Sequence, residues 1–398
     1  MRPLFFNLAA QWAGALYGAA VSLGLVFVVG RSLGPRAFGN YSYALTVAIL
    51  FVVVQDGGFK RLIFREKTLP SAELLHHQEN LMPWALGHAS VSTVIGVTIA
   101  LTLPVAYHIE IALAFFCLGL QAVVVFISAE LRARGMFAQD AQWQAIARSL
   151  SAGGILLSIF LLGAQPAYIF LGWALGLIAS LLLSPIPLTR PKVAGFRVKK
   201  IRRACMAFMG AEAATMIYSR SDIILLKYFS DCPEQVGYYA AAYRFLEGIA
   251  LLSGPLSFIW FRNLRLNRKD KGLFRSKLVK TALIMLAGGT IVGVFGMEYS
   301  EAILDLTFGK GYADSAPILA CLLIALVFIL PNTILAQAAI AQNMERLYAI
   351  SACLAALVNV TLNMMLIPEY GGLGAAWAAI STAGVLCLTL AFGVLKAI

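Results

Sequence analysis

The feature that most limits the fold of this chain is a series of long, continuous apolar segments. Apolar residues make up 60% of the 398 residues and charged residues 13%, whereas a soluble domain has about 45–50% and about 25%. A helix that crosses a bilayer needs about 20 mainly apolar residues. We therefore predict twelve membrane-spanning helices, at residues 8–30, 38–59, 83–106, 110–131, 143–163, 167–187, 205–229, 237–261, 279–297, 314–336, 347–367 and 373–395.

The segments predict an all-α polytopic membrane protein, because they are continuous apolar runs and not the alternating ten-residue runs of membrane strands. The first run is longer than the core of a cleavable signal peptide. The six cysteines form no CxxC motif or Cys/His cluster, so neither disulfides nor a metal site is predicted. The sequence indicates no cofactor.

The basic residues lie mainly in loops on one side of the predicted helices. Most of the 31 Lys and Arg residues are near the termini or in the loops at 60–80, 132–142, 188–204 and 262–280. The opposite loops contain only Arg31, Arg36 and Lys310. The positive-inside rule then puts both termini in the cytoplasm. The net charge of +12 is thus a signal of membrane topology, with contact to anionic lipids as a secondary use, and no nucleic-acid partner is predicted.

A short motif repeats at half the length of the chain. Its members recur 198 residues apart, between the first two apolar segments of each half, as Pro35, Gly39, Tyr41 and Ala44 and as Pro233, Gly237, Tyr239 and Ala242. Six helices per half give both halves the same orientation, so we predict two six-helix bundles related by a pseudo-two-fold axis along the membrane normal. The predicted domains are residues 1–188, a basic cytoplasmic linker at 189–204, and residues 205–398.

Charged residues inside the predicted seventh and eighth helices are candidates for function, because each costs roughly 2.5–3.5 kcal/mol at the bilayer centre. Arg220 and Arg244 lie at similar depth in the outer half of the membrane. One interpretation is structural pairing, of Arg244 with Glu247 and of Arg220 with Asp222 or Glu212. The other is a polar cavity for an anionic headgroup, lined by Arg220, Arg244, Lys227, Tyr218, Tyr239 and Tyr243. Glu212, Asp222 and Glu247 are the candidates for ion coupling.

Asn359 and Asn363 lie one helical turn apart on one face of the predicted eleventh helix. An amide side chain in hydrocarbon needs a hydrogen-bond partner. Bonding between helices and lining of a cavity are both compatible with this spacing, so the two asparagines join the cavity candidates.

Several fragments in order along the chain are typical of one family. They are Arg31 to Tyr41 (RSLGPRAFGNY), Asp56 to Phe59, Ser221 to Leu226, Val236 to Phe245, Phe308 to Tyr312, and Asn359 to Ala376. The chain resembles the Wzx-like oligosaccharide flippases, the O-antigen and exopolysaccharide translocases of the multidrug/oligosaccharidyl-lipid/polysaccharide exporter superfamily. Members often carry a basic residue in the first helix, and this chain has none there before Arg31.

The resemblance implies a flippase in the bacterial inner membrane that moves an undecaprenyl-pyrophosphate-linked oligosaccharide to the outer leaflet by alternating access. It implies membrane lipids, a polysaccharide polymerase and assembly proteins as partners. The alternatives are an ion-coupled exporter of drugs or of another lipid-linked precursor, and a membrane polysaccharide polymerase. The sequence contains no Walker A pattern and no large outer loop that could hold catalytic groups, so we predict a transporter without enzymatic activity.

Overall fold

The computed structural model describes residues 2–68, 78–102, 104–105, 107–192, 199–230 and 232–397. Within these ranges the chain forms α-helices joined by short connections, with no β-strand. The helices are α1 (Arg2–Asp56), α2 (Phe59–Thr68), α3 (Gln78–Thr102), α4 (His108–Ala133), α5 (Phe137–Leu162), α6 (Pro166–Leu182), α7 (Lys199–Phe229), α8 (Gln235–Leu266), α9 (Lys271–Thr307), α10 (Ala316–Ala341) and α11 (Glu345–Ala397). A short 3₁₀ segment, Lys310–Ser315, precedes α10.

Two of these helices each contain two of the predicted membrane spans. Helix α1 breaks at Gly34 (φ 69°) and α11 breaks at Gly371 (φ 55°), and positive φ values of this kind favour glycine. With these breaks, each of the twelve predicted segments falls on its own helix or half-helix. The all-α polytopic fold predicted from the sequence is confirmed.

Among the described residues, seven helical stretches are long and apolar enough to cross a membrane. Two of them run through the breaks in α1 and α11, and α6 is a shorter apolar helix. Helices α7 and α8 are not among the seven, and each contains side chains outside the described set, including 210–219 in α7 and 250–259 in α8.

One helix was not expected from the sequence. Helix α2 occupies the start of the basic segment 60–80 that we expected to be a loop. Its buried residues are Phe59, Leu62, Ile63 and Glu66, a spacing that puts them on one face of a helix. Helices α7 and α9 also begin earlier than predicted, at Lys199 and Lys271, because basic first turns extend both helices beyond their apolar cores.

The chain divides into two compact units. The first contains Met1–Leu33 and Asn40–Arg220, and the second contains Gly34–Gly39 and Ser221–Ile398. The first unit has a core in which α2, α3, α4 and the start of α7 pack together, including Phe59, Leu62, Phe126 and Cys205. The second has a core between α8, α9, α10 and α11, including Leu264, Phe274, Leu335 and Leu390. The two-bundle symmetry and the domain limits stay predictions.

The proline and glycine of the first copy of the repeated motif meet the second copy inside the second unit. A Cβ atom added to Gly237 would overlap the carbonyl oxygen of Pro35 and lie 3.2 Å from the Gly39 nitrogen, and one added to Gly39 would lie 2.9 Å from the Gly237 nitrogen. The two backbones therefore touch at their glycines, a close approach that small residues permit between membrane helices. Beside this contact, the fully buried Phe38 packs against Phe308, with 5.6 Å between the ring centroids.

Candidate functional site

The second unit contains a buried polar cluster centred on Asp222 of α7. One carboxylate oxygen of Asp222 accepts a hydrogen bond from the Tyr239 hydroxyl of α8 at 2.8 Å. The other accepts one from Nδ2 of Asn363 on α11 at 2.7 Å. Asp222 is 7% exposed, and Tyr239 and Asn363 are fully buried. The consecutive helices α7 and α8 therefore meet the distant helix α11 at one carboxylate.

Asn359 extends this cluster by one helical turn. Its Oδ1 accepts hydrogen bonds from Nδ2 of Asn363 at 3.1 Å and from the Ser221 hydroxyl at 3.2 Å. In the described part of the chain, Oδ1 of Asn363 is buried and has no hydrogen-bond partner. Such buried atoms are uncommon, and each calls for an explanation such as a bound ion or water. The cluster thus combines a carboxylate with an unused amide oxygen.

The repeated motif and the break in α11 position this cluster. Tyr239 follows Gly237 by two residues, so the close contact of Gly237 with Pro35 fixes the first turn of α8. The side chain of Gln235 then accepts a hydrogen bond from the Gly372 backbone nitrogen at 2.8 Å, directly after the break at Gly371. These two contacts hold the start of α8 against α11, which brings Tyr239 and Asn363 to the same carboxylate.

Arg244 lies on α8 beyond the cluster and forms an ion pair with Glu247. Its Nη1 atom is 2.8 Å from the Glu247 carboxylate, with the two side chains 15% and 27% exposed. The Nε of Arg244 is buried without a hydrogen-bond partner among the described residues. The Tyr243 ring stacks on Tyr239 with 5.7 Å between the centroids. Arg244 therefore retains donors that its ion pair does not use.

The structure brings together some of the predicted site residues and leaves others apart or undescribed. Asp222, Tyr239, Asn359 and Asn363 share one hydrogen-bond network, and Arg244 is paired with Glu247. Arg220 and Lys227 are both partly exposed on α7. The side chains of Glu212 and Tyr218 lie outside the described residues.

Three residues of interest are not among those predicted from the sequence. Ser221 and Gln235 act through hydrogen bonds to residues far away in the chain, which no local pattern indicates. Arg148 is different, because it is a basic residue inside the predicted span 143–163. The free-energy cost of placing a cation inside the membrane is enough to mark Arg148 as a candidate from the sequence alone.

The fold is that of a known class of membrane transporters. The chain is similar to a structure of the lipid II flippase MurJ in an inward closed conformation, with a TM-score of 0.76, 14% identity, and coverage of 98% of this chain and 87% of that one. It is also similar to an inward-facing MATE multidrug transporter of the MOP superfamily, with a TM-score of 0.68, 12% identity, and coverage of 98% and 99%. A third similar structure is a mutant of the Vibrio cholerae MATE transporter VcmN, with a TM-score of 0.60, 14% identity, and coverage of 98% of this chain and 96% of that one.

The sequence itself identifies the family of the chain. The model of the family described as polysaccharide biosynthesis protein matches residues 7–258. Since this match covers more than half of the chain, the chain belongs to that family. The resemblance to the flippases of the exporter superfamily is thereby confirmed. Among curated protein sequences, none matches the chain significantly.

Proposed function

We propose that this protein moves an undecaprenyl-pyrophosphate-linked oligosaccharide from the cytoplasmic to the outer leaflet of the bacterial inner membrane by alternating access. The observation that carries the proposal is the family match over residues 7–258 in a chain with a transporter fold. Membership of a polysaccharide biosynthesis family, together with a fold shared with transporters, most directly supports transport of a lipid-linked glycan.

The cargo defines what the protein has to supply. A pyrophosphate in hydrocarbon without partners costs tens of kcal/mol by Born solvation, and a glycan adds many hydroxyl groups that need hydrogen bonds. Guanidinium groups match phosphate oxygens through paired donors. The aromatic rings of tyrosine present a flat apolar face and a polar end to sugars. The polyprenyl tail remains in the lipid.

Within this function, we assign the pyrophosphate to Arg220 and Arg244, assisted by Lys227, Tyr218 and Tyr243. The unused Nε donor of Arg244 supports its share of this role. Tyr239, Asn359 and Asn363 are almost fully buried, and we give them a different part. They position Asp222, the ion-coupling candidate with the most complete set of partners, ahead of Glu212 and Glu247.

The membrane potential is a further source of drive. With a negative interior, each negative charge that moves outward gains about 2.3 kcal/mol per 100 mV. The two phosphates of the cargo are therefore pulled towards the outer leaflet.

Alanine substitution of the two arginines tests the proposed function. Arg220→Ala and Arg244→Ala should each slow the appearance of surface glycan by about 10- to 100-fold, because a charged hydrogen bond contributes about 1.5–3 kcal/mol. Lysine at either position should restore part of the rate, since an ammonium cannot pair with two phosphate oxygens at once. The measurement is surface glycan in cells whose membranes contain equal amounts of each variant.

The control for this experiment is Arg275→Ala, because Arg275 is exposed on α9. It should export glycan at the parent rate. Parent-level export by both Arg220→Ala and Arg244→Ala would show that these arginines have no part in transport.

The proposed orientation, with both termini in the cytoplasm, is tested at Cys232. This cysteine is exposed and lies in a loop that the charge distribution predicts to be external. A membrane-impermeant thiol reagent should label intact cells that carry the parent protein but not the Cys232→Ser variant. Cys353 is also exposed in the structure, but it lies in the predicted span 347–367 and should face lipid. If the reagent labels a cysteine introduced by Lys269→Cys and does not label Cys232, the orientation is the opposite of the one proposed.

A further inference from the structure

The first unit contains an open, mostly apolar cavity among its own helices, with the exposed residue Arg148 in its wall. Its volume is about 420 Å³, and its walls come from both halves of α1 and from α4, α5 and α6. This volume falls in the range of about 300–1,000 Å³ that is common for small-molecule sites. We call it the Arg148 cavity, and the residues that define it are Ser22, Gln121, Ser128, Gln144, Arg148 and Trp173.

Arg148 lies inside the predicted span 143–163, as its sixth residue. It is the twelfth residue of α5, so its Cα is about 16 Å along the axis from the start of a helix that is about 39 Å long. In the described part of the chain, its one hydrogen bond goes to the Ser22 hydroxyl at 3.4 Å, and no carboxylate lies within ion-pair distance. A cation at this depth needs water or an anion as its partner.

The backbone of α1 leaves room for this guanidinium group. A Cβ atom added to Gly18 would lie 2.6 Å from Cζ and 2.9 Å from Nε of Arg148. The guanidinium plane thus lies directly over Gly18. A methyl group at this position would displace the charge without removing it.

Other polar groups of the cavity also lack partners within the described residues. Ser128 is 3% exposed, and its hydroxyl is buried without a hydrogen bond. The amide of Gln121 makes no hydrogen bond to any described residue. The Trp173 ring stacks against Phe170 with 6.4 Å between the centroids, which fixes its orientation in the wall. The cavity therefore offers one cation, the amide of Gln121 and an aromatic face.

We propose that the Arg148 cavity binds an acidic sugar unit of the transported glycan. Arg148 receives the carboxylate or phosphate of that sugar, because its paired donors match either anion. Gln121 receives sugar hydroxyls, and Trp173 provides an apolar face for the ring. This assignment rests on the proposed function, and it adds a residue that selects the cargo by its charge.

Direct binding to the purified full-length protein in detergent tests the assignment. The probes are glucuronate, glucose 1-phosphate and glucose, observed by saturation-transfer difference NMR, with inorganic phosphate as a competitor. We expect both acidic sugars to bind and glucose to bind far more weakly. Arg148→Gln should weaken binding of the acidic sugars by about 10- to 100-fold, whereas Arg275→Gln, an exposed position on α9, should leave it unchanged.

Two further variants separate binding from folding. Gly18→Ala keeps the charge but displaces it, so it should weaken binding of the acidic sugars while thermal stability stays near that of the parent. Gln121→Leu removes a hydroxyl partner and should weaken binding severalfold. Equal binding by the parent and Arg148→Gln, or equal binding of glucose and the acidic sugars, overturns the proposal. So does displacement by inorganic phosphate at the same concentration as glucose 1-phosphate, which would indicate a phosphate site without sugar recognition.

Failure of this proposal is distinguishable from failure of the proposed function. The NMR experiment needs no transport, whereas the proposed function is measured as surface glycan in cells. Loss of export in the Arg244→Ala strain without any sugar binding by the purified parent contradicts the cavity assignment alone. Arg148-dependent sugar binding in a protein whose removal leaves surface glycan unchanged contradicts the proposed function alone.

Discussion

Gly237→Ala is expected to destabilise the protein more than alanine at any other glycine in the described part of the chain. The new Cβ would overlap the carbonyl oxygen of Pro35 and lie 2.7 Å from its carbonyl carbon. Both are backbone atoms, so no side chain can rotate away and the two helices must separate. Overpacking of this kind costs about 1–3 kcal/mol and occasionally more. The measurement is the apparent melting temperature of the purified protein in detergent.

Two other glycines provide a graded comparison. Gly39→Ala should have a smaller effect, because its Cβ would lie 2.9 Å from the nearest atom, the Gly237 nitrogen. Gly288→Ala is the control, since a Cβ at this position in α9 meets open space and alanine is about 0.5–1 kcal/mol better than glycine inside a helix. A melting temperature for Gly237→Ala that equals or exceeds that of Gly288→Ala would disprove the close contact.

The positions of the membrane helices could be predicted because one physical quantity determines them. Each span is a continuous apolar run of about 20 residues, and only a helix satisfies its backbone in lipid. Helix α2 is not predicted by this criterion, because Lys60, Arg61, Arg65 and Lys67 interrupt its apolar residues and leave no continuous apolar run. The periodicity of Phe59, Leu62, Ile63 and Glu66 contained the signal.

The repeated motif could be predicted from the sequence, but the contact between its two copies could not. The equal spacing of Pro35 and Pro233, and of Gly39 and Gly237, indicates only that the two segments have similar local structure. That the two copies pack against each other is a property of tertiary structure, and nothing in either segment encodes it alone. The glycines are consistent with such a contact and equally consistent with a tight helix start.

The candidate site could be predicted only as a set of residues. The cost of charge in lipid singled out Asp222 and Arg244, and the spacing of Asn359 and Asn363 put both on one face. The partners of Asp222 depend on the rotation of α7, α8 and α11 about their axes, which periodicity does not give. Both interpretations of the asparagines were open, and the structure shows hydrogen bonding between helices.

Replacement of Asp222 is expected to show whether transport needs its charge or whether its hydrogen bonds serve only the stability of the fold. Asp222→Leu leaves the Tyr239 hydroxyl and the Asn363 amide buried without their acceptor. Each unsatisfied donor costs about 1–3 kcal/mol, so the free energy of unfolding should fall by about 2–6 kcal/mol. Asp222→Asn keeps the volume and one acceptor oxygen, and the Tyr239 hydroxyl can turn to accept from the new amide, so its loss should be smaller.

The two substitutions with near-native shape then separate structure from coupling. Tyr239→Phe removes one hydrogen bond but keeps the carboxylate, so it should cost about 1 kcal/mol of stability and retain transport. Asp222→Asn removes the ionisable group, so we expect a folded protein whose glycan export no longer responds to an imposed proton or sodium gradient. Asp305→Asn, at an exposed position near the end of α9, is the matched control and should behave as the parent. If Asp222→Asn exports glycan at the parent rate and with the parent's dependence on the gradient, Asp222 serves the fold alone and the coupling ion acts elsewhere.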